Sequence, residues 1–545
     1  MFSNVFSADP VPSLRGIPMS AIVASLLVLA SELSAQQASD DMLVIMTGND
    51  TIAVERVRRS ASRLDGELLL KAQKVRISYG ARLSGGRVLT LDNEFRRADA
   101  DPASKPLQTA NFRFIGDSTI AEIQAGDAPV QVQRIKTEAG AFPYSNPSFA
   151  MLEPVIVAAQ AMNKDSVSLP MFYVQGGRTL PVAVVKQGPD SVKLTFAPGQ
   201  DAYLKLGPDG KILHGGLPLQ KLTVTRAPAT GAALFVAPTD YSAPADAPYT
   251  ATDVTIPTPM GHTLAGTLTV PKGKGPFPAI VTITGSGSQD RDEEIWLVKG
   301  FRPFRQIADS LGRAGIAVLR MNDRGFAPSG GNAATATSRD FADDIKAGLA
   351  WLRTRPEIDA NRLGLVGHSE GGLIAPIVAS EDPKLKGIVL LAGPSQTGRE
   401  ILEFQNRYAI EHNTQIKPEA RDSMFKVALR GIDSVAKTSP WIKYFLDHDP
   451  KATAAKVKVP VLVLQGATDQ QVTAVQAEDL GKAFRGGGNK DVTVKVFPNA
   501  NHLFIEDSDG NPSGYTALTS NRIRDDVMAT LVSWLKQKLQ VVPAT

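Results

Sequence analysis

Residues 361–380, NRLGLVGHSEGGLIAPIVAS, constrain this chain more than any other stretch. Leu363-Gly364-Leu365-Val366 is an apolar run of strand length. Gly367-His368-Ser369-Glu370-Gly371 follows, and Leu373, Ile374, Ile377 and Val378 then recur at helical spacing. A serine with glycine two residues before and two after, between a strand and a helix, reads as a sharp turn. Such a turn holds the hydroxyl clear of a sheet and above a helix N-terminus, whose dipole favours developing negative charge. Side chains at 367 and 371 would collide across it, so both are glycine. The bland alternative is a glycine-rich structural turn, and the rest of the chain must decide between them.

A chain of 545 residues, 43% of them hydrophobic, is too long for one domain and ample for a large core. Net charge is +4 with both signs abundant, which carries no nucleic-acid signature. There is no cysteine, so disulfides, thiolate nucleophiles and thiolate zinc sites are excluded. Near the N-terminus Arg15 precedes the apolar run 21–30, and Leu33-Ser34-Ala35 precedes Gln36. This reads as a signal peptide over 1–35, with an uncleaved anchor as its rival. The expectation is an exported protein, periplasmic or secreted, with no membrane span once matured.

Residues 40–228 read as a β-rich domain. Val75, Ile77 and Tyr79 alternate with polar residues, as do Val192, Leu194 and Phe196. Turn signals such as Ser84-Gly85-Gly86 and Gly207-Pro208-Asp209-Gly210 separate such runs. The pattern predicts antiparallel sheet, as a sandwich or an open barrel, with one helix near 151–162. His214 reads as a turn residue. The segment 229–248, rich in Ala, Pro and Thr, reads as a linker. From 249 the period changes. Strands expected at 254–256, 263–270, 279–283, 316–319, 363–366, 387–391, 461–464 and 492–497 alternate with helices at 304–314, 341–354 and 523–539. Such alternation implies α/β architecture over 249–541, a mostly parallel sheet with helices on both faces. A largely helical insertion at about 394–458 reads as a cap over the strand ends, where ligands bind.

A serine hydroxyl needs a base, and the base needs an orienting carboxylate. Three histidines follow Ser369: His412 and His448 within the expected cap, and His502 in a loop after the strand at 492–497. His502 is the expected base. Asp469, in the loop after the strand at 461–464, is the expected acid; Asp479 and Asp449 read as a solvated helix face and a turn. The oxyanion needs two backbone donors, expected from Glu370 N–H and from Ser286 N–H in the glycine-rich loop 284–288. The charged clusters at 289–292 and 320–325 read as ion pairs bracing that loop rather than substrate contacts. Trp441, Tyr444 and Phe445 of the cap are the expected apolar pocket. No cofactor and no catalytic metal are expected, because no metal-ligand spacing occurs.

Six stretches carry a resemblance: GSGSQDRDE (285–293), NDRGFAPSGG (322–331), RPEIDANRLGLVGHSEGGLIAP (355–376), SPWIKYFLDHDP (439–450), VPVLVLQGATDQQV (459–472) and NANHLF (499–504). In this order they resemble the alpha/beta hydrolase superfamily, within it the bacterial carboxylesterases often labelled serine aminopeptidase-like. The resemblance spans 249–540 and leaves 40–228 uncovered. It implies that Ser369 is nucleophile, Asp469 acid and His502 base. Thr284-Gly285 stands where such enzymes usually have His-Gly, and Ser288 where they tend to have Pro. The expected activity is hydrolysis of small carboxylic esters. Aminopeptidase or thioesterase chemistry is the alternative within the enzyme class, and a non-catalytic binding protein the alternative outside it.

Overall fold

Strands buried on both faces need helices on both sides, and the chain from Tyr249 onward is built that way. We describe a computed structural model over residues 41–541, apart from 101–103, 127, 198–199, 230–233 and 415. The expected signal peptide lies outside the described residues. Among these, no helix is long and apolar enough to cross a membrane.

The second unit is an eight-stranded sheet. Its spatial order is Tyr249–Pro257, Thr263–Pro271, Ala317–Met321, Phe277–Ile283, Ile358–His368, Gly387–Leu391, Val461–Gly466 and Val492–Phe497. Thr263–Pro271 pairs antiparallel with both Tyr249–Pro257 and Ala317–Met321, and every pairing after that is parallel. Alternate residues feed two cores. Val281, Leu319, Leu365 and Val463 face Leu349 and Ile374 on one side. Ile280, Val318, Val366 and Leu464 face Phe304 and Trp534 on the other. From Phe277–Ile283 the chain crosses to one side to form Ala317–Met321, then returns to form Ile358–His368 on the other. That reversal is a topological switch point, which opens a crevice at the strand C-termini. The loops after Phe277–Ile283 and Ile358–His368 both lie there. Four helices, Gly398–Glu411, Pro418–Ala436, Pro440–Asp447 and Pro450–Ala454, fill the expected cap.

The first unit is one fifteen-stranded sheet, from Asp41–Thr47 to Leu222–Pro228. Neighbouring strands are antiparallel except Phe142–Tyr144, which lies parallel to Ser166–Tyr173. Of the two expected forms, the sandwich is corrected: no second sheet occurs here among the described residues. A single core joins strands from both halves to the helix Glu153–Ala161, so the sheet curls around that helix. Gly85 and Gly86, at φ 56 and 74, make one of its tight hairpin turns. Buried carboxylates tether the helix. Glu55 accepts Tyr79 Oη at 2.7 Å and the Phe149 and Ala150 N–H groups at 2.9 and 3.0 Å. Glu153 accepts Ile212 N–H at 2.9 Å and pairs with Arg59 at 2.8 Å and with Arg226. His214 lies in the strand Ile212–Leu217, not in a turn.

The segment expected as a linker is strapped down at Tyr241. Its hydroxyl donates to Asp290 Oδ2 at 3.0 Å, and the Arg291 guanidinium lies 4.3 Å from its ring centroid. Arg305 donates to the Asp240 and Ser242 carbonyls at 2.7 and 2.9 Å.

Candidate active site

Ser369 sits at φ 53, ψ −117, a conformation that costs a non-glycine residue about 1–3 kcal/mol and persists only where its surroundings dictate it. Its N–H donates to Leu391 O at 2.8 Å, which ties the turn to the neighbouring strand. The flanking glycines are obligatory on steric grounds. A Cβ at Gly367 would stand 2.1 Å from Gly371 O, and one at Gly371 would stand 2.1 Å from Ile283 O. The helix Glu370–Glu381 begins directly after the serine.

Asp469 and His502 come from the loops after Val461–Gly466 and Val492–Phe497, two neighbouring parallel strands. Both are buried. Asp469 Oδ1 accepts the N–H groups of Gln471 and Val472 at 2.7 and 2.9 Å. Oδ2 accepts Gln465 Nε2 and His502 Nδ1, each at 2.8 Å. An oxygen that already accepts an amide N–H leaves Nδ1 as the donor, so Nε2 is the ring's basic nitrogen. Asn501 Oδ1 accepts the Leu503 and Ile505 N–H groups at 2.9 and 3.1 Å and fixes the histidine's loop. Gln465 and Asn501 were not singled out by sequence reasoning. Their one signal is a polar residue at the end of an apolar strand or beside the expected base.

Ser369 and His502 line a cavity of about 350 Å³. Ser286 and Glu370, the expected oxyanion donors, line it too. A Cβ at Gly285 would stand 3.2 Å from Ser369 Cβ, so the loop passes the serine as closely as backbone can. Gly285 N–H donates to Glu293 Oε1 at 2.7 Å and is already committed. Asp323 binds both ends of this loop, accepting Thr284 Oγ1 at 2.7 Å and Gln289 N–H at 2.8 Å. Burial pushes the Asp323 carboxyl well above the usual carboxylate range, and the nearby Glu370 and Glu293 carboxylates push the same way.

Trp441 and Phe445 of the cap reach the cavity, with rings stacked at 5.6 Å. Trp441 Nε1 also donates to Glu370 Oε1 at 2.8 Å, and Ser338 Oγ donates to the same oxygen at 2.6 Å. Burial raises the Glu370 carboxyl. The cap is thus pinned to the residue after the serine. Tyr444 is a correction: it does not line this cavity, and its ring stacks on His448 at 5.3 Å. Tyr444 directly precedes Phe445 in the helix Pro440–Asp447, about 100° around it, and packs toward His448 instead. His412 and His448 stay in the cap, away from Ser369; His412 stacks on Tyr408.

The charged clusters brace. Arg291 donates to Asn322 Oδ1 at 3.0 Å and to Asp253 Oδ1, Gly266 O and Thr267 Oγ1 at 2.7 Å each. Asp292 pairs with Arg302 and Arg320. Arg324 grips Asp344 at 2.6 and 2.9 Å, and His262 Nε2 lies 3.1 Å from the same carboxylate. Asp344→Ala leaves that buried arginine with only the Asp340 carbonyl at 2.7 Å and a long 3.9 Å contact to the Asp340 carboxylate. The expected cost is about 3–5 kcal/mol, read as a lower denaturation midpoint at unchanged slope.

Sequence comparison gives relatives of both kinds. The prolyl oligopeptidase family matches residues 303–541. Esterase EstD of Thermotoga maritima is 31% identical over 281 residues, covering 50% of this chain and 65% of its own length. Dipeptidyl aminopeptidase BIII of Pseudoxanthomonas mexicana is 24% identical, covering 46% of this chain and 33% of its own length. This chain therefore spans just under two thirds of the esterase and a third of the peptidase. Among solved structures, an esterase of Pyrococcus furiosus superposes with a TM-score of 0.40 at 18% identity, covering 55% of this chain and 95% of that one.

Proposed function

We propose that this chain, whose residues 249–541 form a domain belonging to the alpha/beta hydrolases of the esterase- and peptidase-like branch, is a serine hydrolase of carboxylic esters. One observation carries the reading. A serine held at a strained turn shares its cavity with a histidine whose far nitrogen is committed to a buried carboxylate.

The chemistry follows from that arrangement. Ser369 Oγ attacks the ester carbonyl as His502 Nε2 takes its proton. Asp469 stabilises the imidazolium. The Ser286 and Glu370 N–H groups receive the oxyanion. The imidazolium returns the proton to the departing alkoxide, and an acyl-enzyme remains on Ser369. Water, deprotonated by His502, releases the acid and restores the serine. Support for ester substrates comes from the walls: Ile295, Trp296, Leu297, Ile401, Leu402 and Phe445 offer apolar surface to an acyl or alcohol chain.

A peptidase reading has one observation in its favour. Glu293, Glu294 and Glu370 line the cavity and, among the described residues, no Lys or Arg does; Glu294 already pairs with Lys74 and Glu293 with His368, so a free amine would compete for carboxylates already engaged. Parallel assays of p-nitrophenyl esters and aminoacyl p-nitroanilides decide. The ester reading expects turnover of esters by wild type and none by Ser369→Ala. It also expects kcat/KM to rise about fourfold per added acyl methylene until the cavity is full, from about 0.8 kcal/mol of burial each. Cleavage of the anilides alone overturns it. Export belongs to the same proposal: N-terminal sequencing of protein recovered outside the cytoplasm is expected to begin near Gln36.

A further inference from the structure

Two buried groups beside Ser369 have no part in the steps above. Glu293 is a non-glycine residue at φ 55, a strained left-handed conformation. Its Oε1 accepts Gly285 N–H at 2.7 Å and lies 2.8 Å from His368 Nδ1. Its Oε2 is buried with no hydrogen-bond partner among the described residues. His368 Nε2 lies 3.0 Å from the carbonyl oxygen of His502, and the two imidazole centroids are 4.9 Å apart.

The donors can be assigned. A carbonyl oxygen only accepts, so Nε2 carries a hydrogen. A carboxylate oxygen that already accepts Gly285 N–H accepts from Nδ1 as well, so Nδ1 carries the other. His368 is then an imidazolium between two acceptors, a buried charge neutralised by Glu293.

We propose that Glu293 and His368 are positioning residues that link the two halves of the site, Glu293 holding the oxyanion loop through Gly285 N–H and His368 holding the catalytic histidine through its carbonyl. Neither group touches the reacting atoms. Ser286 follows Gly285 directly, and the His502 ring hangs from the backbone that His368 grips. One carboxylate thus sets the spacing between oxyanion donors and base. The proposal rests on the serine-hydrolase reading.

The pair makes the site sensitive to pH. The charged and titratable groups facing His368 are Glu293, Asp469 and His502. Burial works against charging the ring, but Glu293, the His502 carbonyl and Asp469 together outweigh it and raise its pKa above the ordinary histidine range. As pH rises through that folded value, one hydrogen remains for two acceptors. It stays with the carboxylate, and Nε2 turns a lone pair on the His502 carbonyl. Activity therefore falls on the alkaline side. The pair's contribution to stability has the same sign, present below the unfolded histidine pKa and lost as pH rises through the folded one.

The experiment measures kcat and KM against pH for wild type, Glu293→Ala and Glu293→Gln, with melting curves to establish folding. Glu293→Ala is expected to lower kcat about 10- to 100-fold through misplaced donors, with KM changed less than about threefold. Glu293→Gln keeps an acceptor for Gly285 but loses the charge. Its kcat at optimum is expected within about threefold of wild type, with the alkaline midpoint moved down by about one pH unit or more. A folded Glu293→Ala with wild-type kcat overturns the proposal. So does an unmoved alkaline midpoint in Glu293→Gln, which alone decides if the alanine variant does not fold. Loss of ester turnover on Ser369→Ala tests the underlying reading separately.

Discussion

On the proposed mechanism, Asp469→Asn is expected to lower kcat by about 10⁴-fold while the protein stays folded. The reason lies in which oxygen does what. Oδ1 accepts two backbone N–H groups, from Gln471 and Val472, so the amide oxygen of asparagine must take that place. The amide nitrogen then occupies the Oδ2 position and donates to His502 Nδ1. The ring proton is forced onto Nε2, the nitrogen that has to accept from Ser369. Geometry survives, but the base carries a hydrogen where it needs a lone pair. The cost to stability is about 1–3 kcal/mol, because Gln465 Nε2 now meets a donor. Steady-state kinetics with a melting curve checks both halves.

Gly371→Ala is expected to destabilise the protein by at least about 4 kcal/mol and to lower kcat about 100-fold or more in whatever folds. The added methyl would meet Ile283 O at 2.1 Å, Ile283 C at 2.7 Å and Thr284 O at 2.8 Å, all backbone. No side chain there can swing away. The atoms that must retreat belong to the end of Phe277–Ile283, which leads into Gly285 and Ser286. Relief of the clash therefore pulls the oxyanion loop from the helix that carries Glu370. Gly431→Ala is the control. It lies mid-helix in Pro418–Ala436 with nothing within 4 Å of the added carbon, and should stabilise by up to about 1 kcal/mol. Denaturant titration separates the two.

What could be read ahead of the structure follows from where the signals are local. Gly367, Ser369 and Gly371 carry their steric reason within five residues. Asp469 follows a short apolar run and His502 an alternating one, Val492 to Phe497, each of strand length, so their level at the strand ends could be inferred. Glu293 and His368 could not be joined in that way. They are 75 residues apart, and Glu293 adjoins a charged cluster, 289–292, that reads as ion pairs bracing a loop. The available signal was His368 itself, a titratable residue next to an expected nucleophile. The β-rich unit was legible as strands but not as one sheet. Alternation of Val192, Leu194 and Phe196 says which face is buried and nothing about which strands share that face. Trp441, Tyr444 and Phe445 show the same gap at helical scale. Spacing places both Tyr444 and Phe445 about one turn after Trp441, and only packing says which of them meets the cavity.

In the proposed mechanism Ser369 is the nucleophile and His502 its base. Reaction of the native protein with a fluorophosphonate, followed by mass spectrometry of the digest, tests it most directly. The expected result is a single phosphonate on Ser369, absent after Ser369→Ala and formed about 10³-fold or more slowly in His502→Ala. A native, folded protein that takes no label, or takes it on another serine, contradicts the account and returns the domain to the class of non-catalytic binding proteins or of enzymes with a different nucleophile.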